Sequence, residues 1–319
     1  MLAIAASALL LSLRAGTDAP RPADLVVVNG KVLTVDADFR VAEAVAVRDG
    51  VFVLVGTNDE ARRLIGKSTR VIDARGKSVV PGLIDSHVHA LDVARAEMEG
   101  GFRELRSVEE IQQWIRQQAA GLPAAQWIWS PRVYPTRLRE RRFPTRVELD
   151  AAAPHHPAVV DGVYALVLNT AALQAAGIDA STPAPEGGAI VKDARGEPTG
   201  LLRNVGGLLA RYRGADRELS PEALDEVHRA YTRVGITSVI ERGAGLAGFR
   251  TYQHLRDQGR LRVRATVTLR VSSDGSVAGT EAFVRSLPVK FGEGDDRLRV
   301  GPLKIVADGG ILLGTSFMR

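Results

Sequence analysis

Val79-Val80-Pro81-Gly82-Leu83-Ile84-Asp85-Ser86-His87-Val88-His89 is an apolar run that ends in two histidines one residue apart. On a strand successive side chains alternate between faces, so His87 and His89 point the same way. Two imidazoles on one side of a strand end supply two nitrogens about one metal ion's width apart, an arrangement suited to zinc or a similar transition metal. The pattern predicts a metal site used for hydrolysis.

Composition narrows the alternatives. The chain has 319 residues, 45% of them hydrophobic and 25% charged, which is the balance of a folded globular protein with room for one large and one small domain. The net charge of +5 comes mainly from arginine, with only six lysines among 42 basic residues. The densest basic run, Arg137-Leu138-Arg139-Glu140-Arg141-Arg142, carries no interleaved aromatic on which a base would stack, so it reads as a solvated loop or the rim of a site entrance and no nucleic-acid partner is expected. Cysteine is absent, which excludes thiolate zinc sites, disulfides and a catalytic thiol. Any metal must be held by His, carboxylate or modified Lys.

Met1 to Leu13 is apolar apart from Ser7 and Ser12. That is too short for a bilayer span of ~20 residues and fits the apolar core of a signal peptide over residues 1–23, although no basic segment precedes it. Export is favoured over a cytoplasmic location, with no stable membrane anchor.

From residue 24 to 80 short apolar strands alternate with turn signals, among them Asn29-Gly30 and Asp49-Gly50, the pairs that tight hairpins use. After His89 the rhythm changes. Ser107-Val108-Glu109-Glu110 opens an amphipathic helix to about Ala120, and Ser220-Pro221-Glu222 opens another to about Val234. Gly235 to Glu241 reads as a strand, a helix follows to Gln258-Gly259, and Leu261–Leu269 and Val300–Val306 read as further strands. Such alternation indicates an α/β fold with a parallel sheet, and the histidine strand at its start favours a (β/α) barrel of the TIM type over residues 81–319. Residues 127–219, rich in Pro, Gly and Ala, fit neither rhythm and are expected to be an insertion over the catalytic face.

The run ending in His87 and His89 resembles the first barrel strand of the amidohydrolase superfamily. Phe143-Pro144-Thr145-Arg146 through Leu149-Asp150-Ala151-Ala152, Pro154-His155-His156-Pro157, Leu168-Asn169-Thr170-Ala171-Ala172-Leu173 and Gly187-Gly188-Ala189-Ile190 to Gly200-Leu201-Leu202 are similar to phrases of the amidohydrolase 3 family, which includes YtcJ-like proteins and N-substituted formamide deformylases. The resemblance runs from about Asp24 to Arg319. It implies a metal-dependent hydrolase of a small molecule through a C–N bond of the non-peptide amide type, with one or two zinc or similar divalent ions, and a small β-sandwich module formed in part by residues 24–80. It also places Lys304 where relatives carry a lysine that carbon dioxide carboxylates into a bridging oxygen ligand, and Tyr164 where many relatives have a histidine facing substrate.

Measured against that family the barrel is expected to be incomplete at its C-terminus. A full (β/α)8 barrel takes ~250 residues; about 240 follow Gly82, and setting aside an insertion of roughly 90 leaves enough for some four or five of the eight units. The stretch Leu303 to Arg319 resembles the middle of the family's barrel, so the chain reads as an N-terminal fragment.

His87, His89 and Lys304 are therefore the metal-ligand candidates, with Lys304 and Asp308 as catalytic candidates. A lysine among Pro302, Leu303, Ile305 and Val306 needs modification, solvent or a partner, and Asp308 shares its strand face. Glu241 is a weaker ligand candidate. His155 and His156 read as turn residues, and His228 and His254 fall in predicted helices without an assigned role. Two rivals remain: a catalytically silent truncated or interaction module, and an NAD(P)-linked oxidoreductase using Gly243-Ala244-Gly245-Leu246-Ala247-Gly248 as a dinucleotide turn. The latter lacks the acidic residue expected ~20 positions on, where Thr268 stands.

Overall fold

The computed structural model describes residues 21–98, 103–185, 187–213, 218–272 and 276–306. The chain divides into two compact units, one up to Leu83 and one from Ile84 onward. Among the described residues no helix is long and apolar enough to cross a membrane.

The first unit holds two small sheets. In one, Val51–Gly56, Ala44–Arg48, Leu25–Val28 and Arg70–Asp73 lie side by side in that order. In the other, Lys31–Leu33 runs between Val41–Ala42 and Ser78–Val79. Val26, Val28, Ala44, Ala46 and Ala61 form the core of the unit. Asp49 and Gly50 both take positive φ, and Arg48 faces Val51 across the tight hairpin they form. Asn29-Gly30 does not form the expected hairpin. Asn29 has φ +55°, but Gly30 does not follow it into the left-handed region, and the strands on either side belong to different sheets. The pair carries the chain from one sheet to the other, held by the Asn29 amide N–H donating to Asn58 and its side chain donating to Asp73.

The second unit contains a four-stranded sheet in the order Leu298–Lys304, Arg264–Arg270, Ile236–Ala244, Leu83–Val88. The first two pairings are parallel. One face is covered by the helices Ala90–Met98, Pro221–Arg233 and Leu246–Asp257, which bury Val88, Val239, Ala265, Val267, Leu269, Leu298 and Val300 among Leu91, Leu224, Val227, Phe249, Tyr252 and Leu255. Burial of that apolar area, at about 25 cal/mol per Å², holds the sheet and helices together. Alternation along each strand sends the intervening residues to the opposite face.

The stretch expected to be an insertion without regular rhythm is an ordered sheet. Ala189–Lys192, Pro198–Arg203, Ala165–Leu168 and Ala158–Asp161 pair antiparallel, and Ile128–Trp129 adds a short parallel edge. Both faces are buried: Ala158, Val160 and Val167 pack on Ile111, Ile115 and Leu149, while Val159, Leu166 and Leu168 pack on Leu173, Ile190 and Leu202. A four-residue strand buried on both sides shows neither apolar alternation nor helical period, which is why the sequence pattern misses it. The helix Val108–Gly121 belongs to this core, with Ser107 accepting from the Glu110 amide at its start. Its capping box is half made, because the Glu110 carboxylate turns to the Arg106 amide instead of that of Ser107.

Candidate functional site

His87 and His89 stand at the carboxyl end of Leu83–Val88, where ligands of α/β sheets collect. Val88 between them is buried against the helices, so both imidazoles project on the other side. Their ring centroids lie 5.3 Å apart at 68°, and both rings are open to solvent. The Asp85 carboxylate accepts from the His87 amide and fixes the backbone before it.

Behind His89 sits Glu241, whose side chain is only 2% exposed. It comes from Ile236–Ala244 on the helix-covered side, accepts from the Leu91 amide at 3.1 Å and the Tyr252 hydroxyl at 3.2 Å, and lies 3.8 Å from His89 Nδ1. Burial pushes its pKa up to about 7 against the two hydrogen bonds, and pushes the Tyr252 hydroxyl well above its ordinary value. His89 is held below the usual imidazole range, first by partial burial and then by the charges of His87, Lys304 and Arg132, with Asp92 opposing. A neutral imidazole at neutral pH is the form that binds a metal.

Lys304 ends Leu298–Lys304 and pairs across the sheet with Arg270. The three sequence-predicted ligand candidates thus stand at the carboxyl ends of strands of one sheet. The two imidazoles on one face are donors of the kind that holds a divalent ion of the zinc type, with a buried carboxylate behind one of them and Lys304 at the end of the strand on the far edge of the same sheet. Among the described residues no three His, Cys, Asp or Glu side chains converge on a single point.

Asp308 lies outside the described residues. Tyr164 is half-buried in the turn between Ala158–Asp161 and Ala165–Leu168, where its carbonyl accepts from the Asn204 amide; no contact joins it to His87 or His89 among the described residues. His155 and His156 fall in the turn before Ala158, and His228 and His254 lie within helices, as read from the sequence. Glu241 was legible only as a weak ligand candidate; its position behind His89 depends on the helix that supplies Tyr252. Arg132, which ties Asp92 at 3.4 Å and acts on His89, gave no signal in sequence.

The glycine loop at residues 243–248 has a packing account. Gly243 adopts φ +100° at a bulge in its strand, and a Cβ on Gly248 would lie 2.5 Å from Leu91 Cδ1. The loop thus lets the helix Leu246–Asp257 approach the Ala90–Met98 helix, whose first turn carries the amide bound by Glu241.

Residues 70–319 match the amidohydrolase family. The chain is 36% identical over 226 residues to the N-substituted formamide deformylase of Arthrobacter pascens, covering 68% of this chain and 42% of that protein. It is 31% identical over 237 residues to Protein LONG AFTER FAR-RED 3 of Arabidopsis thaliana, covering 71% and 39%. It shares its fold with an uncharacterized metal-dependent hydrolase of Pyrococcus horikoshii, at a TM-score of 0.56 and 19% identity over 90% of this chain and 55% of the other. The chain belongs to the amidohydrolase family, in the amidohydrolase 3 branch that the resemblance of its motifs indicates. It spans less than half the length of the two curated relatives.

Proposed function

We propose that this chain carries metal-binding and substrate-facing residues of a hydrolase that cleaves a C–N bond of amide type in a small molecule. His87 and His89, projecting from one face of a strand end with Glu241 behind, are the observation that carries this reading. A divalent ion of the zinc type, when bound, supplies Lewis acidity toward a carbonyl and activates water for attack. His87 and His89 offer it nitrogens, Glu241 stands 3.8 Å behind His89 Nδ1 within reach of a closer contact when that ring ligates, and Lys304 offers an oxygen once its amine is carboxylated. Asp308, which shares the strand face of Lys304 by sequence, stays in the proposal as a catalytic group supporting that lysine, and Tyr164 as a substrate-facing group.

The strands Leu83–Val88, Ile236–Ala244, Arg264–Arg270 and Leu298–Lys304 are then part of a (β/α) barrel. The strands Val51–Gly56 and Arg70–Asp73 leave Val51, Phe52, Val71 and Ile72 exposed, apolar surface of the first unit that further strands of a sandwich would cover. Export through residues 1–23 belongs to the same proposal.

Supplying the purified chain with zinc and measuring bound metal by mass spectrometry tests the site. Binding that disappears in His87→Ala and His89→Ala is expected; binding unchanged by both substitutions overturns the reading. Release of formate or acetate from N-substituted amides then tests the activity. A second reading, a silent or interaction module, is favoured by the absence of a third converging His, Cys, Asp or Glu among the described residues. It predicts metal loss on simple dialysis and no turnover.

A further inference from the structure

The glycine motif Gly243-Ala244-Gly245-Leu246-Ala247-Gly248 runs into the helix Leu246–Asp257, and its last glycine sets how close that helix comes to the one after His89. Gly248 and Tyr252 are four residues apart and so lie on one face, a turn from each other. A Cβ on Gly248 would stand 2.5 Å from Leu91 Cδ1, so the glycine lets this face sit against Leu91 without displacing it. Tyr252 is thereby carried into the core, fully buried, with Glu241 of the strand Ile236–Ala244 on one side and His228 of the helix Pro221–Arg233 on another.

A phenylalanine would fill the same space, so it is the hydroxyl that needs a reason, because a buried phenol must find a partner. That hydroxyl donates to Glu241 Oε2 at 3.2 Å, and the Leu91 amide donates to the same oxygen at 3.1 Å. The Ala90 amide adds a weaker pull on the carboxylate. Oε1 is the oxygen that lies 3.8 Å from His89 Nδ1. One oxygen of the carboxylate is taken up by the core and the other is turned to the histidine.

This division depends on Tyr252. The last torsion of a glutamate side chain is broad and roughly two-fold, so a carboxylate held from one side can swing. The amides of Ala90 and Leu91 both come from the first turn of one helix, whereas the phenol comes from another. Donors from two helices meeting on Oε2 fix the plane of the carboxylate and with it the direction of Oε1. His228, its ring centroid 5.4 Å from that of Tyr252, packs on the phenol without bonding to it, since both its ring nitrogens lack a partner among the described residues.

We propose that Tyr252 is a positioning residue of the metal-binding face: acting on Glu241 Oε2, it keeps Oε1 turned to His89 Nδ1, so that this imidazole donates from Nδ1 and offers Nε2 to the metal. This rests on the metal-site reading of His87 and His89 and adds to it a residue one step behind the carboxylate. The 3.8 Å separation shortens to a hydrogen bond as the ring ligates, and the tyrosine keeps the carboxylate aimed while it does so.

The test is zinc affinity of the full chain, read by competition with a chromophoric chelator, for the wild type, Tyr252→Phe, Glu241→Gln and the double variant. Tyr252→Phe is expected to weaken zinc about three- to tenfold, less than loss of the carboxylate itself, and to add less than about twofold in the Glu241→Gln background. His228→Phe alters the packing on the same phenol but spares its hydroxyl, and should leave zinc affinity unchanged. The chain has only six histidines, so NMR of the zinc-loaded wild type with nitrogen-15 histidine reads the coordinating atom, and His89 is expected protonated at Nδ1 and bound through Nε2. Unchanged affinity in Tyr252→Phe, an equal loss in both backgrounds, an equal loss in His228→Phe, or His89 bound through Nδ1 overturns the inference and leaves the metal site in place. A wild type that holds no zinc through His87 and His89 removes the metal reading and the inference with it.

Discussion

Two carboxylates in the second unit are equally hidden from water and differ in what surrounds them. The Asp225 side chain is 4% exposed and is grasped by Arg262 Nε at 2.6 Å, Arg260 at 3.3 Å and Arg229 at 3.5 Å. Burial works against its charge, but the guanidiniums prevail and hold its pKa below the ordinary carboxylate value. Glu241 has one amide, one phenol and an imidazole 3.8 Å away, and burial raises it to about 7. A buried acid satisfied by cations fastens helix Pro221–Arg233 to the segment before Arg264–Arg270. A buried acid left without a cation stands behind a histidine that faces solvent. The first is built for stability, and the second keeps a poised group in place at a cost to stability, as functional sites commonly do.

Removing each carboxylate should break the symmetry between them. Asp225→Ala leaves three arginines without their common partner and should cost about 3–4 kcal/mol in urea unfolding; the range sits at the low end for buried pairs because the guanidiniums reach water and can rehydrate. A loss under about 1 kcal/mol would mean that the clasp behaves as an ordinary surface ion pair. Glu241→Gln keeps an acceptor for Leu91 and Tyr252; it should change unfolding by less than ~1 kcal/mol at pH 4.5, where the acid is also neutral, and raise stability by up to about 3 kcal/mol above pH 7, where the buried charge is removed.

The next effect is one of pH, and two groups oppose each other in it. His228 is fully buried between Tyr231 and Tyr252 with both ring nitrogens unpartnered, and burial lowers its pKa from 6.5 to about 4. Between those values the unfolded chain binds the extra proton, so this group removes stability as pH falls from 6.5 to 4. Glu241, raised from 4.5 to about 7, does the reverse: the folded chain holds the proton in that window, and stability grows as pH falls from 7 to 4.5. Each is worth up to about 3 kcal/mol, at ~1.4 kcal/mol for every tenfold change in proton affinity, so the two largely cancel in the metal-free protein. Unfolding free energies across pH 4–7 in a chelator should therefore rise on acidification in His228→Phe and fall in Glu241→Gln. Parallel slopes in the two variants would show that the burial of one of these groups has been misread.

Glu241→Gln should also weaken zinc by about 10- to 100-fold, because a carboxylate behind a ligating imidazole fixes its orientation and raises its basicity. Competition against a chromophoric chelator measures it. Asp225→Ala, compared at a temperature where it stays folded, should leave zinc affinity unchanged. If both variants lose zinc equally, the distinction between a fastening acid and a positioning acid fails.

Much of the site was readable because strand alternation fixes the direction of His87 and His89 once the run before them is seen as a strand, and Lys304 stood out as a lone cation in an apolar setting. Alternating rhythm also gave the helices Pro221–Arg233 and Leu246–Asp257 and the strands they flank to within a few residues. What stayed hidden depends on partners distant in sequence. Leu91 and Glu241 are 150 residues apart, and nothing local marks Glu241 as facing helices instead of the site. The strands Ala158–Asp161 and Ala165–Leu168 escaped because both faces are apolar, and Asn29-Gly30 misled because a turn dipeptide does not say which sheet the next strand joins.

The smallest effect is the sharpest on how Glu241 positions its neighbours. Gly248→Ala adds a methyl 2.5 Å from Leu91 Cδ1, the flexible end of the side chain whose amide Glu241 accepts. Alanine in a helix gains up to ~1 kcal/mol over glycine, and displacing Leu91 costs about as much or slightly more, so the net change in unfolding should lie within ~1 kcal/mol. The displacement nevertheless reaches the first turn of Ala90–Met98, directly after His89. If the Leu91 amide and Glu241 act together to hold that imidazole, zinc affinity drops severalfold while stability hardly moves. If affinity stays constant, Leu91 merely fills space, and Glu241 reaches His89 without help from the helix that follows it.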